Sequence, residues 1–183
     1  MKTYIFAALS LAAILAACHQ AEAPAFSTPL PMQGSADGKS ILLGNQSYRL
    51  TQGKSFPLID GWIFSLPNES LTHWTQRIEV QRFTKVNAQE IYEQMVGATQ
   101  GQLQTADPAS RTVCFVIERN NGQLKEANVW HYTTTDGHLT YGNGILWQFP
   151  AGTGFNTFMK GEFPRTCEAM RTVPFITPPP LSN

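Results

Sequence analysis

RTVCFVIER–NNG–QLKEANVWHYTTT–DG–HLTYGNGILWQF, residues 111–149, decides the fold. From Arg111 to Arg119, Val113, Phe115 and Ile117 alternate with Cys114 and Val116. Both sides of that run are apolar, as in a central strand covered on both faces. Asn120-Asn121-Gly122 supplies residues that tolerate positive φ, and Lys125–Thr135 returns as the hairpin partner. Asp136-Gly137 is a second hairpin signal, followed by His138–Phe149. Three successive strands joined by tight turns predict an antiparallel sheet.

The flanks extend the sheet. Upstream, Ile41–Leu50 is a strand pair broken by Gly44-Asn45. Trp62, Phe64 and Leu66 alternate with Ile63 and Ser65 before Pro67-Asn68 stops the run. Within Trp74–Val86, Ile78, Val80 and Arg82 share one side, and Arg77, Glu79, Gln81 and Phe83 the other, a half-buried strand. A helix is then well marked. Asn87 caps, Glu90 completes a capping box, and Val86 and Ile91 stand at the staple positions. Ile91, Met95 and Ala98 make its apolar stripe, and the helix is expected over about 88–103. Downstream, a Gly-rich turn at Gly152–Gly154 leads into Phe155–Phe163, and Pro164–Met170 forms a short helix. The expectation is α+β: an antiparallel meander packed on one main helix, with a possible short C-terminal helix.

The amino-terminal segment has another character. Lys2 precedes an apolar stretch that ends Leu15-Ala16-Ala17-Cys18. That stretch is too short for a membrane span, which needs about 20 residues, and suits a secretory signal. It resembles a bacterial lipoprotein signal with its lipobox. The resemblance covers residues 1–18 only. It implies cleavage before Cys18, a diacylglyceryl thioether on Cys18, and a further acyl chain on the new amino terminus. Two or more chains hold a protein firmly at a bilayer, where one does not. His19, rather than Asp, follows the cysteine, which by the same resemblance favours the outer membrane over the inner. The chain thus divides into a signal at 1–17, a lipidated Cys18 with a flexible Ala/Pro/Ser/Gly-rich tether over 18–39, one domain over 40–177, and a Pro-rich tail over 178–183.

Composition narrows the function. Removing residues 1–17 from the 183 leaves 166, enough for one domain with a real core. Thirteen basic and thirteen acidic side chains cancel, which argues against a nucleic-acid partner. In an exported protein the remaining pair, Cys114 and Cys167, reads as a disulfide.

No catalytic, metal or cofactor motif stands out. The domain's histidines are His73, His131 and His138; His131 and His138 flank the Asp136-Gly137 turn, but their spacing matches no zinc motif, and they read as polar strand residues facing solvent. Glu79 and Glu118 have basic neighbours and suggest cross-strand ion pairs. The aromatics are the better lead. Trp130 and Tyr132 share parity on one strand, and Tyr141, Trp147 and Phe149 on the next. Together they predict one aromatic sheet face, either packed under the helix or exposed for a partner protein.

The expected function is that of a lipid-anchored, non-catalytic binding or adaptor subunit of an envelope assembly such as a secretion, pilus or transport machine. Its partners would be the membrane, through lipid, and another envelope protein. The alternative is a periplasmic inhibitor or immunity protein against a toxin or cell-wall hydrolase, using a protruding loop at Gly142-Asn143-Gly144 or Gly152–Gly154. A third reading, an envelope hydrolase, would need His131, Asp136 and His138 in one pocket.

Overall fold

A computed structural model describes residues 32–135, 139–150, 152 and 154–181. Cys18, the signal segment, Asp136 and His138 lie outside the described residues. Among the described residues nine strands make one sheet in the order β1-β2-β3-β4-β5-β9-β8-β7-β6, antiparallel at every junction. The first meander comprises β1 (Met32–Gly34), β2 (Ser40–Leu43), β3 (Gln46–Ser55), β4 (Ile59–Ser65) and β5 (Gln76–Phe83). Helix α1 (Ala88–Ala98) crosses over to the second: β6 (Leu103–Asp107), β7 (Thr112–Arg119), β8 (Leu124–Thr134) and β9 (Thr140–Pro150). This one winds back, so its last strand pairs with β5. Two short helices, α2 (Phe155–Lys160) and α3 (Glu162–Met170), follow.

The sheet has a core on each face. On one side, Ala88, Ile91 and Tyr92 of α1 pack with Phe83, Val113, Phe115, Trp130, Tyr132 and Leu146. On the other, Phe158, Phe163, Cys167 and Met170 of α2 and α3 pack on Ile78, Val80, Val129, Ile145 and Trp147. Each large side chain so buried contributes roughly 1.5–3 kcal/mol. Cys114 and Cys167 are disulfide-bonded with Cα atoms 6.3 Å apart, which ties α3 to β7.

Turn chemistry follows the sequence where the backbone needs special residues. Asn120, Asn121 and Gly122 all take positive φ (52°, 55° and 82°) in the β7–β8 turn. The capping box of α1 is present: Glu90 N donates to Asn87 Oδ1, and Asn87 N donates to Glu90 Oε2, each at 3.0 Å.

Several boundaries differ from expectation. Helix α1 ends at Ala98, not near 103. Thr99 closes it by donating its hydroxyl to Met95 O (2.8 Å), and Leu103 begins strand β6 instead. Strand β7 is therefore not central but next to the edge; helices on both sides make both its faces apolar. Phe155–Phe163, unassigned in type by sequence, falls in α2 and the start of α3. The sheet begins at Met32, inside the stretch read as tether, because β1 pairs with β2 and buries Met32. The described part of the Pro-rich tail, 178–181, packs against the domain. Trp62 Nε1 donates to Pro179 O at 3.0 Å; just before the tail, Phe175 packs tilted at 43° on Tyr141 with centroids 4.0 Å apart, and Ile176 is buried.

Two β9 glycines are steric requirements. A Cβ on Gly144 would come within 2.7 Å of the Trp130 ring, and one on Gly142 within 2.8 Å of the Tyr132 ring. Gly61, in contrast, faces open space. Gly144→Ala should cost about 1–3 kcal/mol by overpacking, while Gly61→Ala should stay within about 0.5 kcal/mol; urea-unfolding midpoints of the two variants check this. Loss of the disulfide in a Cys114→Ala/Cys167→Ala variant should lower stability by about 2–5 kcal/mol in the same assay.

Candidate functional site

The five aromatics of the strand pair do not share a face. Trp130 stands opposite Gly144 and Tyr132 opposite Gly142, so both rings lie on the α1 side. Tyr141, Trp147 and Phe149 pair with Thr133, Ala127 and Lys125 and point to the α2–α3 side. Parity within each strand is as the sequence indicates. The register between the strands, set by the turn, decides which sets coincide. All five are buried, from 0% exposure at Tyr132 to 9% at Phe149. Trp130 and Tyr132 stack in parallel at 6.2 Å, made possible by the bare backbone of the two glycines. Trp147 and Phe149 pack on Phe158 at 5.1 and 4.8 Å. These rings are core on both faces. Gly142-Asn143-Gly144, read as a protruding loop, lies inside β9.

The accessible chemistry lies elsewhere on the sheet. Helix α1 packs on β7, β8 and β9. The same face continues over β3, β4 and β5 in two cross-strand rows, Gln52–Ile63–Glu79 and Lys54–Gly61–Gln81. With Ile59 and Phe56 these residues line an open groove of about 350 Å³, all of whose walls come from β3–β5 and the β3–β4 turn. Gly61, lacking a side chain, deepens the floor. Ile59 and Ile63 supply apolar contact, Gln52 and Gln81 carboxamides, and Lys54 and Glu79 opposite charges. The groove is open to solvent along its length, and its lining mixes apolar, carboxamide and charged side chains.

Glu79 is the most perturbed of the groove residues. Burial pushes its carboxyl above the usual range, Arg77 pulls it back, and Glu126 pushes it up again. Glu79 does not form the cross-strand pair expected of it. Across from it stand Ile63 and Gly144, and its partner is Arg77 on its own strand, at 2.5 Å. Arg77 in turn lies 4.0 Å from the Trp74 ring. The carboxylate is thereby fixed by a guanidinium that an aromatic ring holds in place. Glu118 does pair across the hairpin, with Lys125 at 3.2 Å.

The remaining titratable groups sit in structural networks. Asp60 is kept below the usual carboxylate range by the Ser55 hydroxyl and by Arg82. His131, expected to face solvent, is instead buried, its Nδ1 3.2 Å from Thr112 Oγ1, and burial, aided by Arg111, depresses its pKa. His73 is exposed and 3.0 Å from Thr72 Oγ1. Among the described residues no three His, Cys, Asp or Glu side chains come together in a metal-binding group. On the α2–α3 side, the Tyr48 hydroxyl lies 2.7 Å from Gln76 Oε1 and 2.9 Å from Gln46 Oε1. Glu69 and Glu162 act on it electrostatically, and burial lifts the Glu162 carboxyl to about 7 against the pull of Arg165.

The groove residues were not singled out by sequence. Their signal was the polar side of β5, where Arg77, Glu79 and Gln81 alternate with buried Ile78 and Val80. A helix covering that side would have called for apolar residues.

No family model matches the chain, and no curated protein does. Among solved structures, the chain is similar to a crystal structure of a Bacteroides thetaiotaomicron protein at 10% identity and a TM-score of 0.34. The match covers 75% of this chain and 42% of that one. So distant a likeness carries no argument about fold or function.

Glu162 yields a pH test. Its folded-state pKa, about 7, exceeds the ordinary value of 4.5, so the folded chain holds the proton more tightly. Its contribution is full below pH 4.5 and fades as pH rises to about 7. His131 acts with the opposite sign, losing stability as pH falls through 6.5. The difference between wild type and Glu162→Gln isolates the first effect. Wild type should lose stability relative to the variant between pH 5 and 7.5, read as urea midpoints.

Proposed function

We propose that this chain is a lipid-anchored, non-catalytic binding subunit of a bacterial cell envelope. Lipid on Cys18 would hold the domain at a membrane, with the outer membrane favoured, and the groove over β3–β5 would receive a segment of another envelope protein. The observation that carries the recognition half is the groove itself. It joins an apolar floor at Ile59 and Ile63 to hydrogen-bonding side chains on two strands and a preorganised Arg77–Glu79 pair. Such a surface gives orientation through polar contacts and affinity through apolar burial. Arg77 holds the Glu79 carboxyl in one orientation, which offers a partner's hydrogen-bond donors a fixed acceptor. The anchor half rests on the lipobox resemblance.

Two measurements test the halves separately. Intact mass of protein purified from its native cell should show cleavage before Cys18 and added acyl mass; an unmodified thiol there contradicts the anchor. Affinity purification from native envelopes should recover a discrete partner with wild type and lose at least tenfold of it with Gly61→Leu, which fills the groove floor without disturbing the core. Equal recovery by both would remove the groove from the account.

A further inference from the structure

We infer that the β3–β4 turn is a membrane-contacting tip, docking on anionic lipid headgroups. Among the described residues four large apolar side chains are exposed, and two of them, Phe56 (58%) and Leu58 (51%), flank Pro57 in this one turn. The turn is held in shape. Phe56 N donates to Ile59 O at 2.9 Å, and Thr84 N reaches Leu58 O at 3.4 Å, so little order remains to be lost on docking. Lys54, near the end of β3, and Lys85, just beyond Thr84, are exposed on either side, and no described residue forms an ion pair with either. Apolar side chains at a tip with basic flanks match a bilayer surface, whose headgroup layer is anionic and whose acyl boundary is apolar. A protein partner fits less well. A stable interface needs about 800 Å² per partner, more than two side chains on a convex turn can offer.

The inference rests on the anchored reading, and the tether allows it. Met32 pairs with Leu43 beside the β2–β3 turn, at the end of β3 remote from Phe56. The ten residues of β3 span about 33 Å. From Cys18 to Met32 the chain has 14 residue steps, which reach up to about 46–50 Å when extended. The tip can therefore meet the bilayer that holds the anchor. Phe56 and Lys54 also line the groove, so its mouth would open beside the headgroups. A ligand segment would be met at the membrane surface.

The test uses full-length acylated protein in vesicles of neutral lipid alone or with about one-third anionic lipid. An environment-sensitive fluorophore is placed on Pro57→Cys, or on Asn121→Cys in the β7–β8 turn at the far end of the sheet. The expected result is a blue shift and severalfold quenching by brominated lipid at position 57, stronger with anionic lipid, abolished by Phe56→Ser/Leu58→Ser, and absent at position 121. A water-like probe at 57 in both vesicles overturns the inference, as does equal quenching at 57 and 121. A probe at 57 that shifts only when envelope proteins are added overturns it in favour of a protein partner. Intact mass of the same sample separates the two ideas. An unacylated Cys18 counts against the anchor, and the probe at 57 still reads the tip on anionic vesicles.

Discussion

The pairing of β5 with β9 is the contact on which the rest depends. Eight residues of each strand align, from Gln76 opposite Trp147 to Phe83 opposite Thr140. Without it the chain is two separate meanders, each with a raw edge. With it, one continuous sheet gains two faces long enough to bury a core on each side. The seam also makes the molecule's least local strand contact, since some 60 residues separate the paired strands. Closing that loop costs entropy that only the finished core offsets. The disulfide between β7 and α3 closes a different loop, restricting the unfolded chain by about 4 kcal/mol for its 53-residue separation in the loop-entropy model.

The groove is a consequence of proportion. Nine strands at about 4.8 Å spacing make a sheet far wider than one helix, whose diameter is about 10–12 Å. On the α2–α3 side the carboxyl-terminal segment extends the cover, with Val173, Ile176 and Pro179 reaching toward Trp62 and β1. On the other side α1 is the one helix among the described residues, packed on β7–β9 with Trp74 buried in the same core, and β3–β5 lie beyond it. The residues there are what an open face needs: partly buried isoleucines, carboxamides, and a paired charge. The aromatic plates Trp130 and Tyr132 close the covered half beside it, lying flat on β9 because Gly142 and Gly144 leave them room.

Local patterns wrote most of the elements into the sequence. The capping box at Asn87, the positive-φ run at Asn120–Gly122 and the period-2 alternation through Ile78–Arg82 each act over a few residues and could be read there. What could not be read was set by pairing. The register of β8 against β9 sent Trp147 and Trp130 to opposite faces, and parity within a strand carries no information about that choice. Strand β6 was hidden because Leu103–Asp107 is short and has no fully buried residue, and it forms by pairing along the edge of β7. The packing of the tail was hidden because a proline-rich segment carries no local sign of what it will touch, here Trp62 through Pro179. The groove was half legible: the polar side of β5 announced an uncovered face, but β3 and β4 had to be set beside it.

The most direct test asks whether that open face is covered where the protein works. Hydroxyl-radical footprinting would compare the purified full chain with the chain in its native envelope. The account predicts that Ile59 and Ile63 label readily in the purified protein and are protected severalfold in the envelope, while buried Trp130 and Tyr132 stay unlabelled in both. Equal labelling of Ile59 and Ile63 in the two settings would contradict it.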